Sequence, residues 1–220
     1  MIAEQLISEH YHVLRTTDSV EGSIDYMCSL GVSELPILDK KQVYNYARLA
    51  TLHAVEDKSQ PLSGVVPMNP HAPVAYANQH LYEIVPVLAA NELGVLAVVN
   101  SEGQFLGLID QKRINRNITE SMTYRGIGAV IVLNVDDRDF SPAIICRWVE
   151  ENGAKVLGMM VSQSEFGKLK LNLKLNTTIV KGIISTFRRQ GFEVENVYLA
   201  EDHSDDGFRE FDLALKFFDL

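Results

Sequence analysis

Two cysteines, Cys28 and Cys146, are all that this chain of 220 residues carries. They stand far apart, each inside an apolar helical pattern, which excludes a disulfide framework and points to a reducing interior. Both read as small core residues. Basic residues are in deficit: the net charge is −9, which excludes a protein that grips nucleic acid by its phosphates. No apolar run approaches the roughly 18 residues of a membrane span. The opening MIAEQLISEH has no basic stretch followed by an apolar one, so no secretory signal is expected, and the chain reads as cytoplasmic.

Catalytic and metal signatures are equally scarce. The histidines, His10, His12, His53, His71, His80 and His203, show no H-E-x-x-H spacing, and there is no Cys-x-x-Cys. Gly126-Ile127-Gly128 lacks the third glycine of a dinucleotide fingerprint and precedes a strand. The stretch Asp202-x-Ser204-x-Asp206-Gly207 imitates the front of a calcium loop, but its twelfth position is Leu213, where a bidentate Glu is required. Asp136, Asp137 and Asp139 stand before a helix, whose dipole already accounts for them. With no nucleophile–base pair, paired carboxylates or metal cage, the expectation is a non-enzymatic protein that requires no cofactor.

What the chain does have is an internal repeat. Gly31–His53 recurs sixty-one positions later, within Leu88–Ile114. Val74 matches Val13, Leu81 matches Val20, Val85 matches Ile24, Leu88 matches Met27, and Leu96-Ala97-Val98 matches Leu35-Pro36-Ile37. Each copy reads as a short strand, a helix, a β-hairpin and a second helix. In the first helix Val20, Ile24, Met27 and Cys28 form one stripe, Asp18 is placed to cap it, and Gly31 ends it. Pro86 predicts a bend or a late start in the matching helix. Residues 56–73, rich in Pro, Ser and Gly, read as a connector. Copies of this size cannot bury their faces alone and must pack on one another.

The register changes after Thr123. Gly126–Val135 predicts a buried strand. Ser141-Pro142 predicts the N-terminus of a helix with Ile145, Trp148 and Val149 inward, ending at Gly153. Ala154–Ser162 is a strand. In 168–176 the leucines alternate with Lys168, Lys170, Asn172 and Lys174, as on a sheet with one wet face; the lysine row suits an anion or acidic partner, or simply guards that face against aggregation. Thr177 or Thr178 caps a helix carrying Val180, Ile183, Ile184 and Phe187, and Phe192–Leu199 is the last strand. The order βαββαβ is the ferredoxin-like plan. A polar loop and an apolar helix, FREFDLALKFFDL, close the chain.

These residues carry a resemblance. Asp18-Ser19-Val20, Gly31-Val32-Ser33, Leu35-Pro36-Ile37 and Asp39 in the first copy, with Leu96-Ala97-Val98, Gly103 and Phe105-Leu106-Gly107-Leu108-Ile109 in the second, resemble cystathionine-β-synthase (CBS) motifs. The back half resembles an ACT-like regulatory domain, and the combination is similar to CBS proteins of the acetoin-utilisation type. The fold implied is α+β: a tandem CBS pair of pseudo-twofold βαββα repeats over 1–122 (repeats at about 1–58 and 59–122), an ACT-like domain over 123–201, and an acidic loop and helix over 202–220. The resemblance implies a regulatory sensor whose CBS pair binds an adenosine-containing or other anionic small metabolite, a homodimer, and a regulated enzyme partner, with no nucleic acid or membrane. The residues it places around the crevice are Leu35, Pro36, Ile37, Arg48, Thr51, Leu96, Ala97, Val98, Asp110 and Arg113.

Two departures stand out. Nucleotide-binding members carry Ser/Thr-x-x-Asp after the second hairpin strand, the Asp holding the ribose hydroxyls. Here those positions are Arg48 and Thr51, and Asp110 and Arg113, so the acidic ribose ligand is missing and the arginines suit phosphates instead. Where amino-acid-binding ACT domains place a glycine at the first strand-to-helix turn, this chain has Phe140. These departures favour a second reading, a ligand-free dimerising scaffold that regulates a partner protein.

Overall fold

The ends of the repeat's elements are set by local hydrogen bonds in the computed structural model, which describes residues 1–8, 11–163 and 167–199. Ser19, not Asp18, caps α1 (Val20–Leu30), accepting from the Gly22 N–H at 3.2 Å. Asp18 accepts instead from the Arg15 N–H at 2.7 Å and tightens the preceding turn. Gly31 ends α1 with φ 66°, a left-handed conformation that costs glycine nothing. The buried stripe is Val20, Ser23, Ile24 and Met27, and Cys28 is exposed. Eight residues at 100° each put Cys28 about 80° round from Val20, beyond the edge of the stripe. Cys146 is half-buried, so neither cysteine is the core residue expected. A maleimide under native conditions should therefore label Cys28 much faster than Cys146; equal rates would contradict this placement.

The chain divides into two units, Met1–Ile118 and Thr119–Leu220. In the first, β1 (Leu14–Arg15) lies parallel to β2 (Glu34–Asp39), which forms an antiparallel hairpin with β3 (Gln42–Arg48); α2 (Leu49–His53) follows. The second copy repeats this with β4 (Val74–Tyr76), α4 (Leu81–Ala90), β5 (Val95–Val99), β6 (Phe105–Asp110) and α5 (Gln111–Thr119), the one-turn α3 (Leu62–Val65) lying between the copies. Of the bend or late start expected at Pro86, the late start does not occur: α4 begins at Leu81 and runs through Pro86. Pro86 is exposed, as is Tyr82, whose carbonyl the missing N–H would have met, so water can satisfy it. His80 caps α4, its ring nitrogen accepting from the Tyr82 N–H at 3.3 Å while Glu83 accepts from the His80 N–H at 2.9 Å.

The stretch read as a connector is structural. Its α3 puts Leu62 in the core, fully buried, and pairs with the first copy: Leu62 N–H donates to Asp18 at 2.8 Å, Ser63 N–H to Thr16 at 3.0 Å, and Val20 N–H to Gln60 at 3.0 Å. A 3-10 turn at Ala3–Leu6 does the same for the second copy. Ala3 N–H donates to Gln79 at 2.9 Å, Leu81 N–H to Met1 at 3.1 Å, and Ser8 N–H to Leu108 at 2.8 Å. Isolated bridges Ile2–His80 and Ser19–Pro61 mark the two matching crossings. Each copy thus lends its opening segment to the other, and one hydrophobic cluster runs from Ala3 to Ile114 through both.

In the second unit α6 (Met122–Arg125) precedes β7 (Val130–Asp136), α7 (Pro142–Glu151), β8 (Val156–Gln163), β9 (Lys168–Leu175), α8 (Lys181–Arg189) and β10 (Glu193–Tyr198). The sheet order is β10-β7-β9-β8 with every neighbour antiparallel, a βαββαβ unit. The first strand begins at Val130 rather than Gly126. Gly128 passes so close to the chain at Leu175–Thr177 that a Cβ there would stand 2.9 Å from the Thr177 nitrogen. Neither Thr177 nor Thr178 caps α8, which starts at Lys181 after Val180; the Thr177 hydroxyl accepts from the Ile179 N–H at 3.0 Å and forms the turn before it. Ser141 precedes α7 with Pro142 as its first residue, but its side chain makes no capping bond.

The lysine row is occupied within the sheet. Lys168 pairs with Glu193 at 3.3 Å, Lys170 with Glu195 at 2.8 Å, and Lys174 donates to the Gly128 carbonyl at 2.9 Å. The Lys170 ammonium holds the Glu195 carboxyl below its ordinary range. Such exposed pairs neutralise the wet face rather than present a free basic patch. The expected acidic loop and closing helix at 202–220, with His10 and His203, lie outside the described residues.

Candidate functional site

Of the residues expected around a crevice, Leu35, Ile37, Leu96, Ala97 and Val98 are fully buried and Pro36 is buried with them. They bring the two central strands together as core and present no surface to a ligand. The strand ends stay polar and are joined across the copies: the Gly94 N–H donates to Glu34 at 3.4 Å, and an Arg48 guanidinium nitrogen to the Asn91 carbonyl at 2.9 Å. Thr51 is exposed on α2. Asp110, 6% exposed, accepts from the Arg113 N–H at 2.6 Å at the start of α5 and from the Tyr11 hydroxyl. Burial first, and then the Asp110 carboxylate, push the Tyr11 phenol above its ordinary value. The Arg113 side chain is exposed.

Sequence reasoning missed the residue that links the copies most deeply. With Val74 opposite Ala97 in a parallel ladder, the Ala97 N–H aims at the Pro73 carbonyl. The Tyr46 hydroxyl stands between them, accepting from Ala97 at 2.9 Å and donating to Pro73 at 2.9 Å. Burial drives the phenol well above its ordinary value, against a smaller opposing effect of the Ala97 bond. The matching place in the first copy needs no such bridge: Pro36, the counterpart of Ala97, has no N–H, and the counterpart of Tyr46, opposite Ala97 on β6, is Leu108. Nearby, Ile7 fills the space above Gly107, where a Cβ would collide with it.

An open hollow of about 570 Å³ lies along the β2–β3 hairpin, again unforeseen, because much of its wall is the stretch read as connector. The β2–β3 hairpin supplies Asp39, Gln42, Val43 and Tyr44; the segment before β4 supplies Met68, Asn69, Pro70 and Ala72; the second sheet supplies Val74, Tyr76 and Val99, with Gly103 from its turn. Met68 and Tyr76 are 60% and 46% exposed, so apolar and aromatic surface faces solvent there. The Asn69 N–H donates to the Tyr44 carbonyl at 2.9 Å and its side chain accepts from His71 at 3.0 Å, which fixes the segment against β3. Among the described residues, no lysine or arginine lines the hollow.

The second unit has a hollow of about 480 Å³ where β7 leads into α7, lined by Asn134, Asp136, Arg138, Asp139, Ser141, Trp148, Lys168 and Glu193 among others. Asn134 Oδ1 is buried there without a hydrogen-bond partner. Phe140, at the expected glycine place, packs against the core. Among the described residues no three His, Cys, Asp or Glu side chains gather to hold a metal ion, and no helix is long and apolar enough to cross a membrane.

No family model matches the chain, and no curated protein matches it. Solved structures do. The cytosolic domain of the Mg2+ channel MgtE in complex with ATP is 18% identical over 53% of this chain and 48% of that one, with a TM-score of 0.45. A CBS domain pair/ACT domain protein from Thermotoga maritima is 12% identical over 55% of this chain and 98% of that one, with a TM-score of 0.49. A Vibrio cholerae protein named for acetoin utilization is 22% identical over 55% of this chain and 93% of that one, with a TM-score of 0.47. This chain spans about half the length of the MgtE domain. The structures matched thus include a CBS domain pair protein.

Proposed function

We propose that this chain is a non-enzymatic regulatory protein whose first unit, a CBS pair over about 1–122, takes a small adenosine-containing metabolite into the 570 Å³ hollow and transmits a conformational change. The observation that carries the reading is the make-up of that hollow. Both copies and the segment between them form its wall, so a ligand that prefers one spacing of these parts shifts the equilibrium between arrangements of the pair. The adenosine-containing class comes from the resemblance of the repeats to CBS motifs, and ATP is what the MgtE domain holds. Arg48, Thr51, Asp110 and Arg113, the polar residues the motif suggests, do not line this hollow and are no part of the proposed contact; Leu35, Pro36, Ile37, Leu96, Ala97 and Val98 support the site from within. The second unit, over about 123–201, is read as ACT-like, and the whole as a cytoplasmic homodimer acting on an enzyme partner.

The test is thermal unfolding of the full chain with adenosine, AMP and ATP. A ligand at about 100 Kd should add about 2.7 kcal/mol of stability, and Ala72→Trp, which fills the hollow, should abolish the shift. A shift that survives Ala72→Trp places the ligand elsewhere.

A ligand-free scaffold is favoured by one particular: the strands named by the motif are sealed, with Tyr46 and Ile7 packed where the copies meet. No shift with any of the three compounds would favour that reading over the first.

A further inference from the structure

Resting on the ligand-binding reading, we infer that the hollow in the first unit selects an unphosphorylated nucleoside and rejects its phosphates. Val43, Ala72, Val74 and Val99 offer apolar wall, and Tyr44 and Tyr76 offer two aromatic rings, the surfaces on which a base packs. The polar groups are the Asp39 carboxylate and the Gln42 and Asn69 amides. Asp39 is exposed at the end of β2 and has no ion-pair partner among the described residues. A carboxylate accepts from ribose hydroxyls or an exocyclic amine, and it can do nothing favourable for a phosphate.

Charge is what decides the class. The hairpin's lysines, Lys40 and Lys41, follow Asp39 in the chain without lining the hollow, and Arg48 is spent on the Asn91 carbonyl. The Asp39 carboxylate by itself would disfavour a doubly charged phosphate placed about 6 Å away about tenfold in water. The same geometry with a lysine at position 39 would prefer the nucleotide.

Calorimetric titration of the full chain with adenosine, AMP and ATP at low and at 0.5 M salt reads this directly. Adenosine should bind tightest and AMP about tenfold more weakly, with the gap shrinking in salt and in Asp39→Asn. In Asp39→Lys the order should invert. AMP or ATP binding more tightly than adenosine to the unaltered chain overturns the inference and leaves ligand binding standing, as does a gap that Asp39→Asn does not change. Binding of none of the three overturns the ligand-binding reading itself, and this inference with it.

Discussion

Leu6→Ala is expected to destabilise the first unit by about 2–5 kcal/mol, and Leu62→Ala by a similar amount. Neither leucine looks important in sequence. Leu6 precedes the first strand, and Leu62 lies in a stretch rich in Pro, Ser and Gly. Both are fully buried, and each anchors a segment that one copy lends to the other. Removing either side chain leaves a cavity and loosens the crossing it anchors, Ser8 to Leu108 in one case and Leu62 and Ser63 to Asp18 and Thr16 in the other. Urea unfolding followed by circular dichroism measures the cost. Because the two crossings stabilise one shared cluster, the double variant should depart from the sum of the single ones. A loss below about 1 kcal/mol for both would mean that the opening segments are dispensable, and the exchange between copies would fail as an account of the fold.

Tyr46→Ala should cost about 3–5 kcal/mol, in the range of other buried aromatic deletions. The informative partner is Tyr46→Phe, which keeps the ring and removes only the hydroxyl. It leaves the buried Ala97 N–H and the half-buried Pro73 carbonyl without their bridge, a loss of about 1–3 kcal/mol. A neutral Tyr46→Phe would show that the strands close up to make the direct ladder bond. The phenol adds a pH signature. Its folded value is raised, so above about pH 10 the unfolded chain releases a proton that the folded chain keeps. Stability that is complete below pH 10 is then lost as the pH climbs. Tyr11, also raised, adds to the same fall. The alkaline decline should be shallower in Tyr46→Phe than in the unaltered chain, and equal slopes would remove Tyr46 as its source.

How far these elements were legible depended on the range of the interaction behind each. The stripe of α1, the alternation in β9 and the glycine at the end of α1 are written in spacings of two to eight residues, and the structure has them. Caps were legible only to within a residue: Ser19 and Asp18 are equally able acceptors, and their choice rests on which N–H each can reach. The Thr177 cap failed for the same reason, since its hydroxyl found a closer N–H in its own turn. Cys28 was misplaced because an apolar residue at the margin of a stripe is indistinguishable, in a list of spacings, from one at its centre. The lysine row was read correctly as one face of a strand, but Glu193 and Glu195, which neutralise it, come from the far end of the unit.

The repetition, the βαββα order of each copy and the βαββαβ order of the back unit could be read from residue patterns alone, because hydrophobic period and turn chemistry act between neighbours in the chain. Which copy each opening segment serves, the burial of the motif's strands as core, and the place of the open hollow emerge only in the packed fold. Those outcomes depend on contacts between residues about fifty apart, such as the Tyr46 hydroxyl and the Ala97 N–H. No local pattern encodes a buried donor's need for a partner that far along the chain; it is settled when the two sheets come together and every N–H between them has to be satisfied.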